Sequence, residues 1–201
     1  MARRVVSNKK KPLIVICSEG GKKSSEYHYF RNFACRELRI QFSTGNNTDP
    51  LGMFEDLLKY IKNEDIKSET NCHVYLVIDT DLNKIRIDLI KLIEEKCKEN
   101  NIEIITSSPT FEIWFLMHFR SNKLIFQSSK EVKKELKNIL GNYKEGMDIY
   151  KKIVNKTDDA CKIAKTLAKN NSDKLKDIII NNPHSNIYKI IEVINEYKSI
   201  N

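Results

Sequence analysis

The sequence predicts an α/β protein: a central, mostly parallel sheet flanked by helices, followed by a helical C-terminal section. Three observations carry that expectation. Between residues 12 and 119, short β-branched apolar runs alternate with segments of helical periodicity, the pattern of strands joined by crossover helices. The clearest apolar runs stop at glycine-bearing or polar turns, as buried strands do. From residue 128 onward the apolar spacing is helical throughout.

The elements follow in order. Pro12–Cys17 is an apolar run that ends in Ser-Glu-Gly-Gly and predicts a buried strand. A helix-permissive stretch follows with Tyr29, Phe30, Phe33 and Leu38 as its apolar positions, and Leu38–Phe42 predicts a second strand. Residues 43–50 read as a polar loop, and Leu51, Phe54, Leu57, Leu58 and Ile61 recur at helical spacing. Val74–Ile78 is the clearest strand, with Asp79-Thr80-Asp81 at its C-terminal end. Residues 84–99 predict a helix with Ile85, Leu89, Leu92, Ile93 and Cys97 facing inward. Ile102–Thr106 predicts another strand, and Thr110–Arg120 a largely apolar helix.

Beyond these, Ser128-Ser129-Lys130-Glu131 matches a capping box ahead of Val132, Leu136, Ile139 and Leu140, and Gly141 suits a helix end. Thr157 is a candidate cap for a helix whose face carries Ala160, Ile163, Ala164, Leu167 and Ala168. Ser185 is a candidate cap for the last helix, with Ile187, Ile190, Ile191 and Ile194 at i, i+3, i+4 and i+7. The expected organisation is a basic tail over 1–11, an α/β domain over 12–119 and a basic helical section over 120–201, the last either separate or packed on the same domain.

Composition narrows the class. The chain has 201 residues, 31% charged and 40% hydrophobic, with only 6 glycines and 4 prolines, so it is not a linker-rich or disordered chain. No apolar run approaches the roughly 20 residues that span a bilayer, and the N-terminus has no apolar signal core. A cytoplasmic location without membrane contact is therefore expected. Five scattered cysteines form no closely spaced pair, which argues against disulfides and structural zinc. The net charge of +8 is unevenly spread: +5 over residues 1–11, −4 over 12–119, +7 over 120–170 and zero thereafter. A surface of this kind attracts polyphosphates, but lysine-rich surfaces also serve solubility alone.

In a parallel sheet with right-handed crossovers the strand C-termini share one edge, where ligands bind. Glu19, Asp79 and Asp81 all fall on that edge. In extended backbone Asp79 and Asp81 point the same way, and their mutual repulsion is relieved by a cation such as Mg²⁺, which favours oxygen ligands. The competing reading is that both merely cap the helix beginning near Asn83–Lys84. Glu112 is the single charge in Phe111–Met117. It reads either as a favourable first-turn acid or as a buried carboxylate with a role. Lys22 and Lys23, in the turn after Gly20-Gly21, are candidates for meeting phosphate, but neither a P-loop nor a dinucleotide fingerprint is present. His118, beside Trp114 and Phe119, reads as a packed core histidine more readily than as an acid or base.

Several motifs together resemble the RloB-like family. They are Glu19-Gly20 followed by Ser25-Glu26-Tyr27-His28-Tyr29-Phe30; Val77-Ile78-Asp79-Thr80-Asp81; and the block Ser107, Pro109, Phe111, Glu112, Trp114, His118, Phe119. Tyr143-Lys144-Glu145-Gly146 with Tyr150, and Asn182-Pro183-His184-Ser185, complete the series. The resemblance implies a Toprim-like fold in which Glu19, Asp79 and Asp81 hold Mg²⁺ or Mn²⁺ and act in catalysis with Glu112. It implies a metal-dependent endonuclease of a bacterial anti-phage or abortive-infection system, controlled by an AAA-type ATPase encoded nearby. DNA or tRNA is the implied substrate, with Lys22, Lys23 and Lys144 as candidate nucleic-acid contacts; a homodimer is compatible with the sequence. Leu82-Asn83 stands where many relatives are expected to carry another acid, so no further ligand is expected there. The alternative is a non-catalytic adaptor that docks the ATPase or nucleic acid through the same fold.

Overall fold

A computed structural model describes residues 11–43, 45–120, 125–169 and 182–199. The basic tail of residues 1–11 lies outside the described residues, apart from Lys11. Five strands form one sheet: β1 (Leu13–Cys17), β2 (Arg39–Ser43), β3 (Cys72–Asp79), β4 (Ile102–Ser108) and β5 (His184–Ser185). Their order is β2-β1-β3-β4-β5. The first four are parallel, and β5 pairs antiparallel with β4 through Ser107–Ser185 and Ser108–His184. The predicted mostly parallel sheet is therefore present.

The helices are α1 (Ser25–Phe30), α2 (Pro50–Asn63), α3 (Lys84–Glu99), α4 (Glu112–Met117), α5 (Ser129–Leu140), α6 (Tyr150–Ile153), α7 (Thr157–Lys169) and α8 (Ile187–Ser199). Alternation along the strands divides the interior into two layers. Leu13, Val15, Cys17, Val74, Leu76 and Ile78 pack on Met53, Phe54, Leu57 and Ile61 of α2 and Ile90, Ile93 and Cys97 of α3. Ile14, Ile16, Tyr75, Val77 and Ile105 face the opposite layer, built on Tyr29, Phe30, Phe111, Trp114 and Phe115. That second layer also takes in Val132, Leu136, Ala160, Ala164, Ile190 and Ile194. The basic C-terminal section thus shares a core with the α/β body and adds β5 to its sheet.

Local chemistry explains several helix ends. Asp49 accepts from the Gly52 amide at 2.9 Å and Pro50 opens α2. Ser128 caps α5 by accepting from the Glu131 amide, Glu131 reaches back to the Gln127 amide at 2.7 Å, and Gly141 closes the helix at φ 77°. Ser185 accepts from the Ile187 amide at the start of α8.

Three expectations need correction. Asn83, not Asp79 or Asp81, caps α3 by accepting from the Arg86 amide at 3.2 Å. Thr157 is already helical at φ −63° because a 3₁₀ turn, Val154–Lys156, leads directly into α7. On α3, Ile87, Ile90, Ile93 and Cys97 form the buried stripe, while Ile85 and Leu92 are 74% and 61% exposed. Apolar residues lie on two faces of that helix, so spacing alone could not set its phase.

Candidate functional site

The sheet reverses its winding at β1: β2 lies on one side of it and β3 on the other. Ligands of open α/β sheets bind beyond the strand C-termini at such a switch point. Glu19 follows β1 and Asp79 ends β3, so the sequence-nominated acids border that crevice. Gly20 and Gly21, at φ 74° and 55°, turn the chain away from Glu19 in a conformation that favours glycine.

The strand pleat decides where Asp79 points. It continues the parity of Tyr75 and Val77, toward the layer holding α1 and α4. There it meets Glu26 of α1 and Glu112 of α4. Burial pushes the Asp79 carboxyl well above its ordinary value, and the charges of Glu26 and Glu112 push it further. Glu26, only 7% exposed, is raised to about 7, first by burial and then by Glu112.

Glu112 is the best satisfied of the three. Its Oε1 accepts from the Ser25 hydroxyl at 2.8 Å and the Tyr143 hydroxyl at 2.9 Å. Its Oε2 lies 2.7 Å from Thr110 Oγ1, which is also 2.9 Å from Asp79 Oδ2. A threonine hydroxyl has one proton to give. Given to Glu112, it leaves the Asp79 contact to be made by a proton on Asp79, in keeping with that carboxyl's raised pKa. Asp79 Oδ1 is buried and makes no hydrogen bond of ordinary geometry with the described residues, although the nearby Phe111 amide favours the ionised carboxyl.

Asp81 departs from the expected geometry. The chain leaves the strand after Asp79, and Asp81 and Leu82 adopt φ 51° and 55°. The expected same-side pairing of Asp79 and Asp81 in extended backbone is therefore absent. The Asp81 amide donates to the Pro109 carbonyl at 2.9 Å, and Asp81 Oδ1 accepts from the Ser129 hydroxyl at 2.9 Å. Glu19 forms an ion pair with Arg86 of α3, whose Nε also lies 3.8 Å from Asp81 Oδ2. Arg86 further donates to the carbonyls of Asp79 at 2.5 Å and Thr48 at 2.8 Å. Burial lowers the Arg86 pKa. The acids thus form two subsets: Asp79, Glu26 and Glu112 inside, Glu19 and Asp81 around Arg86.

A family model of RloB-like proteins matches residues 14–194. The chain belongs to the RloB-like family. No curated protein and no solved structure matches it.

The basic candidates of this RloB-like chain lie close to the same edge. Lys22 and Lys23 are exposed in a 3₁₀ turn, and Lys144 is exposed in the turn that ends at Gly146. The two turns touch: a Cβ on Gly146 would stand 2.2 Å from the Lys23 carbonyl oxygen. Lys133 of α5 pairs with Glu145 at 2.8 Å. Its own desolvation lowers its pKa, but Glu145, Glu112 and Asp79 more than offset this, so the net shift is upward. His118 is buried, contacts the Trp114 carbonyl through Nδ1 at 2.8 Å and is lowered to about 4 by burial. It is a neutral core residue, not part of the acidic edge.

Do these residues suit a metal? The donors are carboxylates and backbone carbonyls, the oxygen set of a hard cation, and one buried carboxylate oxygen awaits a partner. Among the described residues, however, no three His, Cys, Asp or Glu side chains converge into a metal cluster. The donor chemistry fits Mg²⁺ or Mn²⁺; the arrangement around Glu19 and Asp81 is closed by Arg86. Sequence reasoning did not single out Glu26, Arg86, Thr110, Ser25, Tyr143 or Lys133 for chemistry. Ser25, Glu26 and Tyr143 stood inside the quoted motifs, whereas Arg86 gave no signal beyond one charge in a helical turn.

Proposed function

We propose that this RloB-like protein is a Toprim-type, metal-dependent nuclease effector of an anti-phage defence system, held in check or released by a partner AAA-type ATPase. One observation carries the reading: Glu19 and Asp79 leave adjacent strands at the switch point, and Asp79 presents a buried, undonated carboxylate oxygen there. Glu19, Asp79 and Asp81 would hold Mg²⁺ or Mn²⁺, which supplies charge stabilisation at a phosphate and a water of lowered pKa. Glu112, held by Ser25, Thr110 and Tyr143, positions the inner carboxylates. Glu26, raised to about 7, is suited to exchanging a proton near neutral pH. Lys22, Lys23, Lys133 and Lys144 favour an anionic backbone, DNA or tRNA, beside the acids.

The test is cleavage of phage DNA and total tRNA with Mg²⁺ or Mn²⁺, with and without the neighbouring ATPase. Wild type is compared with an Asp79→Ala, Asp81→Ala double variant. Cleavage that disappears in the variant supports the reading and identifies the substrate. A second reading, a non-catalytic adaptor, is favoured by the closure of Glu19 onto Arg86. No cleavage with the activated ATPase present would select it.

A further inference from the structure

Arg86 enters the acidic edge from the first turn of α3, and its side chain is only 14% exposed. It reaches four oxygens from three stretches of chain: the Glu19 and Asp81 carboxylates and the Asp79 and Thr48 carbonyls. Carboxylates with backbone carbonyls are the donor mixture of a hard divalent cation. A largely buried guanidinium carries a desolvation cost that a surface position would not impose. The backbone around it is constrained as well. Asp81 and Leu82 are consecutive non-glycine residues in the left-handed region, which persists only when neighbours hold it. The holding contacts are the Asp81 amide on Pro109, the Asn83 amide on Thr80, Ser129 on Asp81, and Arg86 itself. Beside this set, Asp79 Oδ1 is buried without a donor.

We propose that Arg86 is a built-in counter-cation that keeps the acidic edge in a metal-free resting form, and that a divalent cation of the Mg²⁺ or Mn²⁺ class competes with it for Glu19 and Asp81. The proposal rests on the reading that this edge takes a divalent metal. Two cations cannot share the same oxygens at close range without strong repulsion, so metal entry and Arg86 withdrawal are one equilibrium. Anything that draws Arg86 out, such as a partner's carboxylate, would load the site.

The test is Mn²⁺ binding to the full chain, followed by the loss of the free-Mn²⁺ electron paramagnetic resonance signal. Arg86→Gln removes the charge while keeping a donor for the carbonyls. It is expected to bind Mn²⁺ about tenfold tighter than wild type. Arg86→Lys keeps the charge but lacks the planar fork that spans all four oxygens, so its affinity falls between the two. Metal-free thermal unfolding checks that each variant folds; the Gln variant is expected to melt lower and to recover with Mn²⁺. If it shows no cooperative melt, Arg86→Lys decides alone: tighter than wild type supports competition, and equal or weaker overturns it. Equal or weaker binding by a folded Arg86→Gln overturns the competition but leaves the metal reading standing. Mn²⁺ binding to neither protein overturns both.

Discussion

Tyr143 donates a 2.9 Å hydrogen bond to Glu112, so a hydroxyl from the C-terminal section holds a carboxylate of the α/β body. Both groups are buried, at 4% and 2% exposure. The contact places the C-terminal section in direct control of the inner acids, through Glu112 and onward through Thr110 to Asp79. Tyr143→Phe removes that donor without opening a cavity. Urea unfolding should show a loss of about 2 kcal/mol, the order expected when a buried acceptor loses its donor. A loss below roughly 0.5 kcal/mol would show that Ser25 and Thr110 satisfy Glu112 unaided.

Asp79→Asn should separate function from stability. The Asp79 carboxyl is raised by burial and by Glu26 and Glu112, so its ionised form strains the folded state. Removing the charge should stabilise the metal-free protein at about pH 8 by about 1 kcal/mol or more, while abolishing Mn²⁺ binding. A variant less stable than wild type would mean that Asp79 is compensated where it stands. Thermal unfolding with and without Mn²⁺ reads both effects.

Glu26 gives a pH signature. Its pKa rises from an ordinary 4.5 to about 7 on folding, so the folded chain holds a proton that the unfolded chain releases. Its contribution is complete below about pH 4.5 and declines as pH rises toward 7, remaining lost above that. Glu26→Gln should flatten this part of the metal-free stability profile and leave the variant more stable than wild type at about pH 8. Chemical unfolding across that range is the measurement, and an unchanged slope would remove Glu26 as its source.

Gly146→Ala tests the contact between the two basic turns. Gly146 sits at φ 73°, its amide donates to Ser25 Oγ at 3.1 Å, and an added Cβ would stand 2.2 Å from the Lys23 carbonyl oxygen. Backbone strain and the clash add, so a loss of about 2 kcal/mol or more is expected in urea unfolding. A neutral substitution would mean that the turn can move away from Lys23 freely.

The centre of the sheet was readable because β1 and most of β3 are apolar runs buried on both faces, whereas the two-residue β5, His184–Ser185, carries no strand pattern. The acidic edge was readable as far as Glu19 and Asp79, whose positions follow from where strands end. Asp81 was not, because nothing in Asp-Leu-Asn announces two left-handed residues; tertiary contacts to Pro109, Ser129 and Arg86 hold them. Glu26 lay hidden for a related reason. One short helix buries it, and six residues are too few for a periodicity to reveal a face. For Glu112 the sequence offers both a dipole partner and a buried carboxylate; its 2% exposure and three hydroxyl neighbours decide for the buried carboxylate.

The shared core on the α4 side has a consequence for dissecting the chain. A fragment ending at residue 120 would retain Glu19, Glu26, Asp79, Asp81 and Glu112, yet it would lose the apolar residues of α5, α7 and α8 that cover α4. Phe111, Trp114 and Phe115 would lose much of that cover, and the cage around Glu112 would lose Tyr143. Such a piece would be adhesive, prone to self-association through its bared aromatic layer. Limited proteolysis between the sections would therefore strip the inner acids of their cover, and the gene cannot be shortened to its acidic half without losing the environment that sets those acids' charge.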